Sequence, residues 1–178
     1  MGDDAENISI RPATADDIVL ISVLASTTFY EAYFEQDESS NLAGYIHESF
    51  EIKTIRDEIE DPRSTFFLIF FGEKAVGYAR LIDDSTTDCV GDGRVIELKR
   101  IYILERCWGT GIGDRLLGHC IETARNRSFK TIWLGVWEEN QRAQKFYAKY
   151  GFEQVGTLTF PYGEVDGTNL VLQLLLSK

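Results

Sequence analysis

Cysteine, histidine and positive charge are all scarce in this chain. Its three cysteines, Cys89, Cys107 and Cys120, follow no metal-ligand spacing, and their odd number argues against a disulfide framework. A reduced, cytoplasmic setting fits that pattern. The two histidines, His47 and His119, lie far apart in sequence, which disfavours a histidine-based metal site or triad. Lys and Arg total 18 against 29 Asp and Glu, a net charge of -11. Such a surface repels nucleic acid and anionic membrane and attracts cations, although plain solubility needs no more than this. No apolar run approaches the roughly 20 residues of a membrane span, and the acidic start MGDDAEN does not read as a signal peptide. Repeats, low-complexity tracts and linkers are lacking as well, so the 178 residues read as a single domain, 1–178, with its core over about 8–176.

What is present alternates between two periodicities. Residues 8–11 read as a first strand. Thr14 caps a helix whose first turn holds Asp16 and Asp17, and Ile18, Ile21, Ala25 and Phe29 form its buried face. Leu42, Tyr45 and Ile46 mark a second helical piece, and Ile52, Ile55 and Ile59 a third that ends before Pro62. The run TFFLIFF (65–71), apolar on both faces, predicts a central strand, joined through Gly72, Glu73 and Lys74 to a hairpin partner at 75–82. Residues 83–93 form a polar loop. Further strands are expected at 95–103, 131–137, 152–160 and 169–176, with helices after Gly113 and from Asn140 to Gly151. This is an α/β pattern, a mixed sheet flanked by helices on both faces.

The most informative stretch is VIELKRIYILERCWGTGIGDRLL (95–117). In its strand, Ile96 and Leu98 share one parity and Ile101 and Ile103 the other, so a bulge near Lys99 or Arg100 is expected. A bulge releases backbone N–H groups from the ladder. Gly109, Gly111 and Gly113 then alternate into a helix, where the free N–H groups and the positive dipole end suit a phosphate. A triphosphate loop requires a lysine and a hydroxyl residue after its last glycine, whereas Gly113 is followed by Asp114 and Arg115. A dinucleotide loop requires GxGxxG and an acidic residue about 20 positions on; the spacing here is GxGxG, and that position falls in the strand of Trp133.

Arg106-Cys107-Trp108-Gly109-Thr110-Gly111 instead resembles the R/Q-x-x-G-x-G/A loop of the GCN5-related N-acetyltransferases. ELKRIYI, WLGVW and NQRAQKFYAKYGF follow in that family's order, so the resemblance covers most of 65–176. More narrowly, ELKRIYI, IWLGVWEEN and TFYEAYFEQ are similar to bacterial spermidine/spermine acetyltransferases of the PaiA type. The resemblance implies a splayed central mixed sheet, acetyl-CoA as co-substrate, direct attack of an amine on the thioester and no metal.

Roles follow residue by residue. Backbone groups of Ile101, Tyr102 and Ile103 would pair with pantetheine, and a freed N–H near the bulge would stabilise the oxyanion. The N–H groups of Trp108, Gly109, Thr110, Gly111, Ile112, Gly113 and Asp114, with Arg106, would take the pyrophosphate. Asn140 serves as helix N-cap, as pantetheine ligand, or as both. Tyr147 is the candidate general acid for the departing thiolate; the alternative is a core aromatic, a part for which Phe146 is the better fit. Glu97 is the candidate base, acting through a water, or else a half-exposed strand glutamate. Tyr30, Glu31 and Tyr33 offer a carboxylate beside aromatic faces for an alkylammonium, or are simply a solvated helix end. The expected acceptor is a small-molecule amine, with polyamines first and protein amines as the rival; a non-catalytic acyl-CoA-binding module is the other class. A homodimer is also considered, with 168–175 as an edge strand open to a second chain.

Overall fold

TFFLIFF is apolar throughout because both faces of its strand are covered. In the computed structural model, which describes residues 7–91, 93–162 and 165–176, this run lies in β2 (Ser64–Phe71), with Phe66, Phe67, Leu68 and Ile69 all buried. Phe66 lies beneath the Arg80 guanidinium, while Phe67 meets the ring of His119 edge-on at 4.6 Å. Adjacent residues of a strand point to opposite faces, so the two contacts lie on opposite faces of the strand.

The other elements are β1 (Ile8–Pro12), α1 (Ile18–Tyr33), α2 (Ser39–Phe50), α3 (Ile52–Glu60), β3 (Lys74–Asp83), β4 (Val95–Ile103), α4 (Ile112–Asn126), β5 (Thr131–Trp137), α5 (Gln141–Ala148), β6 (Glu153–Tyr162) and β7 (Val165–Leu175). Among the described residues they form a seven-stranded mixed sheet in the order β1-β2-β3-β4-β5-β7-β6. The chain divides into two compact units. One comprises the chain up to Leu81 with Arg100–His119; the other comprises Ile82–Lys99 and the chain from Cys120 onward.

In the first unit β1 pairs antiparallel with β2, from Ile8↔Phe71 to Pro12↔Phe67. The expected cap at Thr14 forms on a short 3-10 turn (Ala15–Asp17) that leads into α1: the Thr14 N–H donates to Asp17 Oδ2 at 2.9 Å. Asp17 also receives two bonds of 2.7 Å from Arg11. Ile21, Leu24, Ala25 and Phe29 of α1 are buried with Leu42, Phe50 and Ile55. The Phe29 ring stacks on Tyr45 at 4.5 Å and meets Phe50 at 5.6 Å. Beneath these rings Glu58 of α3 receives Arg80 at 2.6 Å and Arg100 at 3.0 Å. Their side chains are nearly enclosed, so removing one partner would leave a buried charge uncompensated.

In the second unit β4 and β5 run parallel through three pairs, Val95↔Thr131, Ile96↔Ile132 and Glu97↔Trp133. β5 then pairs antiparallel with β7 along its length, and β7 with β6. The strand expected at the edge is therefore internal. β7 has a partner on each side, because the 153–162 segment returns along its outer flank, and the free edge of this unit is β6. The polar segment after β3 is also less independent than its composition suggests. Val90 is buried with Val95, Trp133 and Val171, and Cys89 packs against this cluster.

Candidate active site

The glycine loop lies wholly within the first unit. Leu104 donates its N–H to Val76 of β3 at 2.9 Å, and the Tyr102 carbonyl would lie 2.5 Å from a Cβ placed at Gly77. Backbone groups alternate along a strand, so Ile101 and Ile103 turn their N–H and C=O groups away from β3, as pairing with an extended ligand requires. Tyr102 faces the other way. Its backbone is directed at β3, its ring packs on Tyr78 and Phe29, and burial holds its phenol well above the ordinary value. Of the three strand residues expected to meet pantetheine, Tyr102 is therefore withdrawn.

After β4 the chain makes a 3-10 turn, Glu105–Cys107. Cys107 and Trp108 donate their N–H groups to Leu104 and Glu105, at 2.8 and 2.9 Å. The Trp108 N–H is thus committed within the turn and is not an anion donor, contrary to expectation; its indole instead donates to the Ile103 carbonyl at 2.8 Å. The Thr110 hydroxyl closes the loop on Cys107 O at 2.7 Å. Gly109 and Gly111 then adopt φ of 74° and 84°, and a Cβ on either would meet no atom within 4 Å. The backbone face there is open and bare, which suits a close-approaching phosphate. Gly113 does not extend the loop, because α4 starts at Ile112. Arg115 makes the first helical bond, to Gly111 O at 3.1 Å. The N–H groups of Ile112 and Gly113 precede it, in the first turn, where a helix has no intrahelical acceptors for its donors. Arg106 is exposed beside them. These donors fit the pyrophosphate of a coenzyme.

The three residues expected to hold a cation also belong to this unit, and each is engaged locally. Glu31 Oε2 receives the Glu105 N–H at 2.8 Å, tying the end of α1 to the turn before the glycines. Tyr33 packs on Phe29 at 4.6 Å. Tyr30, the most exposed of the three, pairs its hydroxyl with Ser39 at 3.1 Å.

Glu97, Asn140 and Tyr147 belong to the second unit. Glu97 is buried, not the half-exposed strand residue its position allowed. Its Oε2 receives the Ser85 hydroxyl at 2.6 Å and its Oε1 the Lys99 ammonium at 3.1 Å. Ser85 is itself anchored, its carbonyl receiving the Trp133 indole at 2.7 Å. Sequence reasoning missed both partners. Lys99 had a readable signal, two positions from Glu97 on one strand face, while Ser85 sits in a loop with no periodicity. Asn140 caps α5, its Oδ1 accepting the Ala143 N–H at 3.0 Å, a bond that leaves its amide NH2 uninvolved. Tyr147 and Phe146 exchange their expected places. Tyr147 is the buried member, packed on Phe146 and Phe152 at 5.4 and 5.6 Å, while Phe146 is only half-buried. Among the described residues no group of three or more His, Cys, Asp and Glu is placed to hold a metal ion, and no helix is long and apolar enough to cross a membrane.

A strand thus leads through a glycine loop with positive φ into the start of a helix. The profile of the Acetyltransferase (GNAT) family matches residues 27–152. This chain belongs to the GNAT family. Like other GNAT proteins it is an acetyl-CoA-dependent N-acetyltransferase. An uncharacterized N-acetyltransferase of Mycobacterium tuberculosis is 33% identical over 143 residues, 80% of this chain and 87% of that protein. The crystal structure of the PaiA N-acetyltransferase from Thermoplasma acidophilum in complex with coenzyme A superposes with a TM-score of 0.77 at 19% identity. It covers 94% of this chain and 98% of its own. The Bacillus subtilis spermine/spermidine N(1)-acetyltransferase is 37% identical over 70 residues, 39% of this chain and 45% of that protein.

Proposed function

We propose that this GNAT enzyme acetylates a primary amine of the polyamine class, such as spermidine or spermine. The observation that carries the acceptor class is the similarity to the Bacillus subtilis spermine/spermidine enzyme, and the net charge of -11 favours a polycation over an acidic or neutral acceptor. The family match runs through both compact units, which supports reading them as parts of one catalytic domain. The free thiols Cys89, Cys107 and Cys120 support a cytoplasmic setting.

The chemistry requires two proton movements and one charge to be stabilised. An alkylammonium with a pKa near 10 must lose a proton before its nitrogen can attack. Glu97 is assigned to take it through a water. A backbone N–H near Lys99 and Arg100 is assigned to the oxyanion that develops on the thioester carbonyl. Tyr147 is assigned to protonate the departing thiolate. Ile101 and Ile103 are assigned to pair with the pantetheine arm, the Asn140 amide NH2 is assigned separately as a pantetheine donor, and the N–H groups of Gly109 to Gly113, with Arg106, would bind the pyrophosphate. Tyr30 and the second oxygen of Glu31 remain candidates for the distal ammonium of a polyamine; Tyr33 is better placed as packing.

A screen of thiol release from acetyl-CoA tests this reading, with spermidine, spermine, short monoamines and peptides bearing free α- or ε-amines. The expected result is a kcat/KM for spermidine or spermine at least tenfold above that for any peptide. A preference for peptides would overturn the acceptor class and leave the acetyltransferase activity in place.

A further inference from the structure

We propose that Lys99 is the free enzyme's stand-in for the acceptor: its ammonium occupies the oxygen of Glu97 on which the substrate ammonium docks, while Ser85 holds the other oxygen in place. The inference rests on the reading of Glu97 as the base. What carries it is the asymmetry of the two bonds. The carboxylate side chain is 8% exposed and the lysine side chain 47%. Oε2 is held at 2.6 Å by a hydroxyl whose own backbone is fixed by the Trp133 indole. Oε1 is held at 3.1 Å by a long side chain reaching back from two positions along the strand.

These two bonds differ in how readily they are exchanged. At the lysine end of the Oε1 bond, ordering the flexible stem and the hydration open to a half-exposed ammonium offset part of the attraction. The Ser85 bond involves a short side chain with little entropy to lose. Displacement therefore occurs at Oε1, and Ser85 keeps the carboxylate from rotating when the occupant leaves. The resident group is also chemically a model of the acceptor. Lys99 presents a primary alkylammonium, the same group as the end of a polyamine, so the carboxylate is already shaped for one. Lys99 thereby becomes an internal competitor that sets how concentrated the amine must be, and Ser85 a positioning residue for the base.

Steady-state thiol release with spermidine separates the parts. Lys99→Met removes the competitor and is expected to lower the KM for spermidine at least threefold; Lys99→Arg, which keeps a cation there, is expected to stay within twofold of the parent. Ser85→Ala is expected to lower kcat at least fivefold with the KM for acetyl-CoA unchanged, and Ser85→Thr to restore kcat to within twofold. Calorimetric titration of spermidine into protein without acetyl-CoA reads the displacement apart from turnover, with at least threefold tighter binding to Lys99→Met. Unchanged or weaker amine binding in Lys99→Met would overturn the competitor role. Full kcat in Ser85→Ala would overturn the positioning role. Glu97→Gln tells these failures from failure of the underlying reading: full turnover in that variant removes Glu97 as base, whereas its loss beside an unchanged Lys99→Met removes only the present inference.

Discussion

Replacing Gly111 by alanine tests whether the glycine loop holds acetyl-CoA through its backbone. Beyond the adjoining residues a Cβ at this position meets no atom within 4 Å, so nothing elsewhere in the fold opposes it. The cost arises from the backbone itself. At φ of 84° an L-residue sets its Cβ against the following carbonyl, which costs roughly 1–2 kcal/mol. Gly109 and Thr110 just before it are exposed, so the loop has room to relax in the free protein, and folding then loses little. Restoring the open form falls to the binding step. The Kd for acetyl-CoA is expected to rise about 5- to 30-fold, the equivalent of 1–2 kcal/mol, with unfolding free energy in urea changed by less than about 0.5 kcal/mol. Gly44→Ala is the control. It sits inside α2 with open space around it, so alanine should stabilise by about 0.5–1 kcal/mol through helix propensity and leave Kd unchanged. Calorimetry with acetyl-CoA on both variants decides the matter. A Kd for Gly111→Ala within twofold of the parent would refute the assignment of these amides to the coenzyme.

Three further outcomes are expected. Tyr147→Phe should lower kcat by about 100-fold or more if its hydroxyl is the acid while the Kd for acetyl-CoA changes less than threefold, since the ring and its packing on Phe152 are retained; unchanged turnover would remove the acid role. Gly77→Ala should destabilise by about 1–3 kcal/mol in urea, because its Cβ would lie 2.4 Å from Ile103 Cδ1 and 2.5 Å from the Tyr102 carbonyl. Asp17 is held at about 2, below its ordinary 3.8, chiefly by the Arg11 guanidinium. A depressed carboxylate contributes stability that is complete above pH 4 and lost as pH falls towards 2. That depression is at most about 2.5 kcal/mol, and the 47% exposure of Arg11 reduces it to about 1–1.5. Asp17→Asn should therefore lose about that much at pH 7 and converge with the parent near pH 2; a deficit independent of pH would sink the account.

Local chemistry is what one chain position and its near neighbours specify, and that part was legible. Strict apolar runs set β2, turn residues set the β2–β3 hairpin, and Gly109 and Gly111 marked an open loop leading into a helix. Rejecting a triphosphate or dinucleotide ligand needed only Asp114, Arg115 and a spacing. The acetyltransferase assignment followed from several such motifs in order, because each one specifies its local structure largely by itself. Tertiary structure decided what depends on residues distant in sequence. It placed the returning 153–162 strand outside β7, which closed the expected edge. It buried Tyr147 where Phe146 had the better sequence claim, since the rotation of about 100° between adjacent helix positions is resolved only by what packs there. It also set the Tyr102 backbone towards β3 and spent the Trp108 N–H within a turn. Above all it brought Ser85 and Lys99 onto the two oxygens of Glu97. A carboxylate in a sequence has only a charge; the hydrogen bonds that orient it are made by groups whose proximity the fold alone creates.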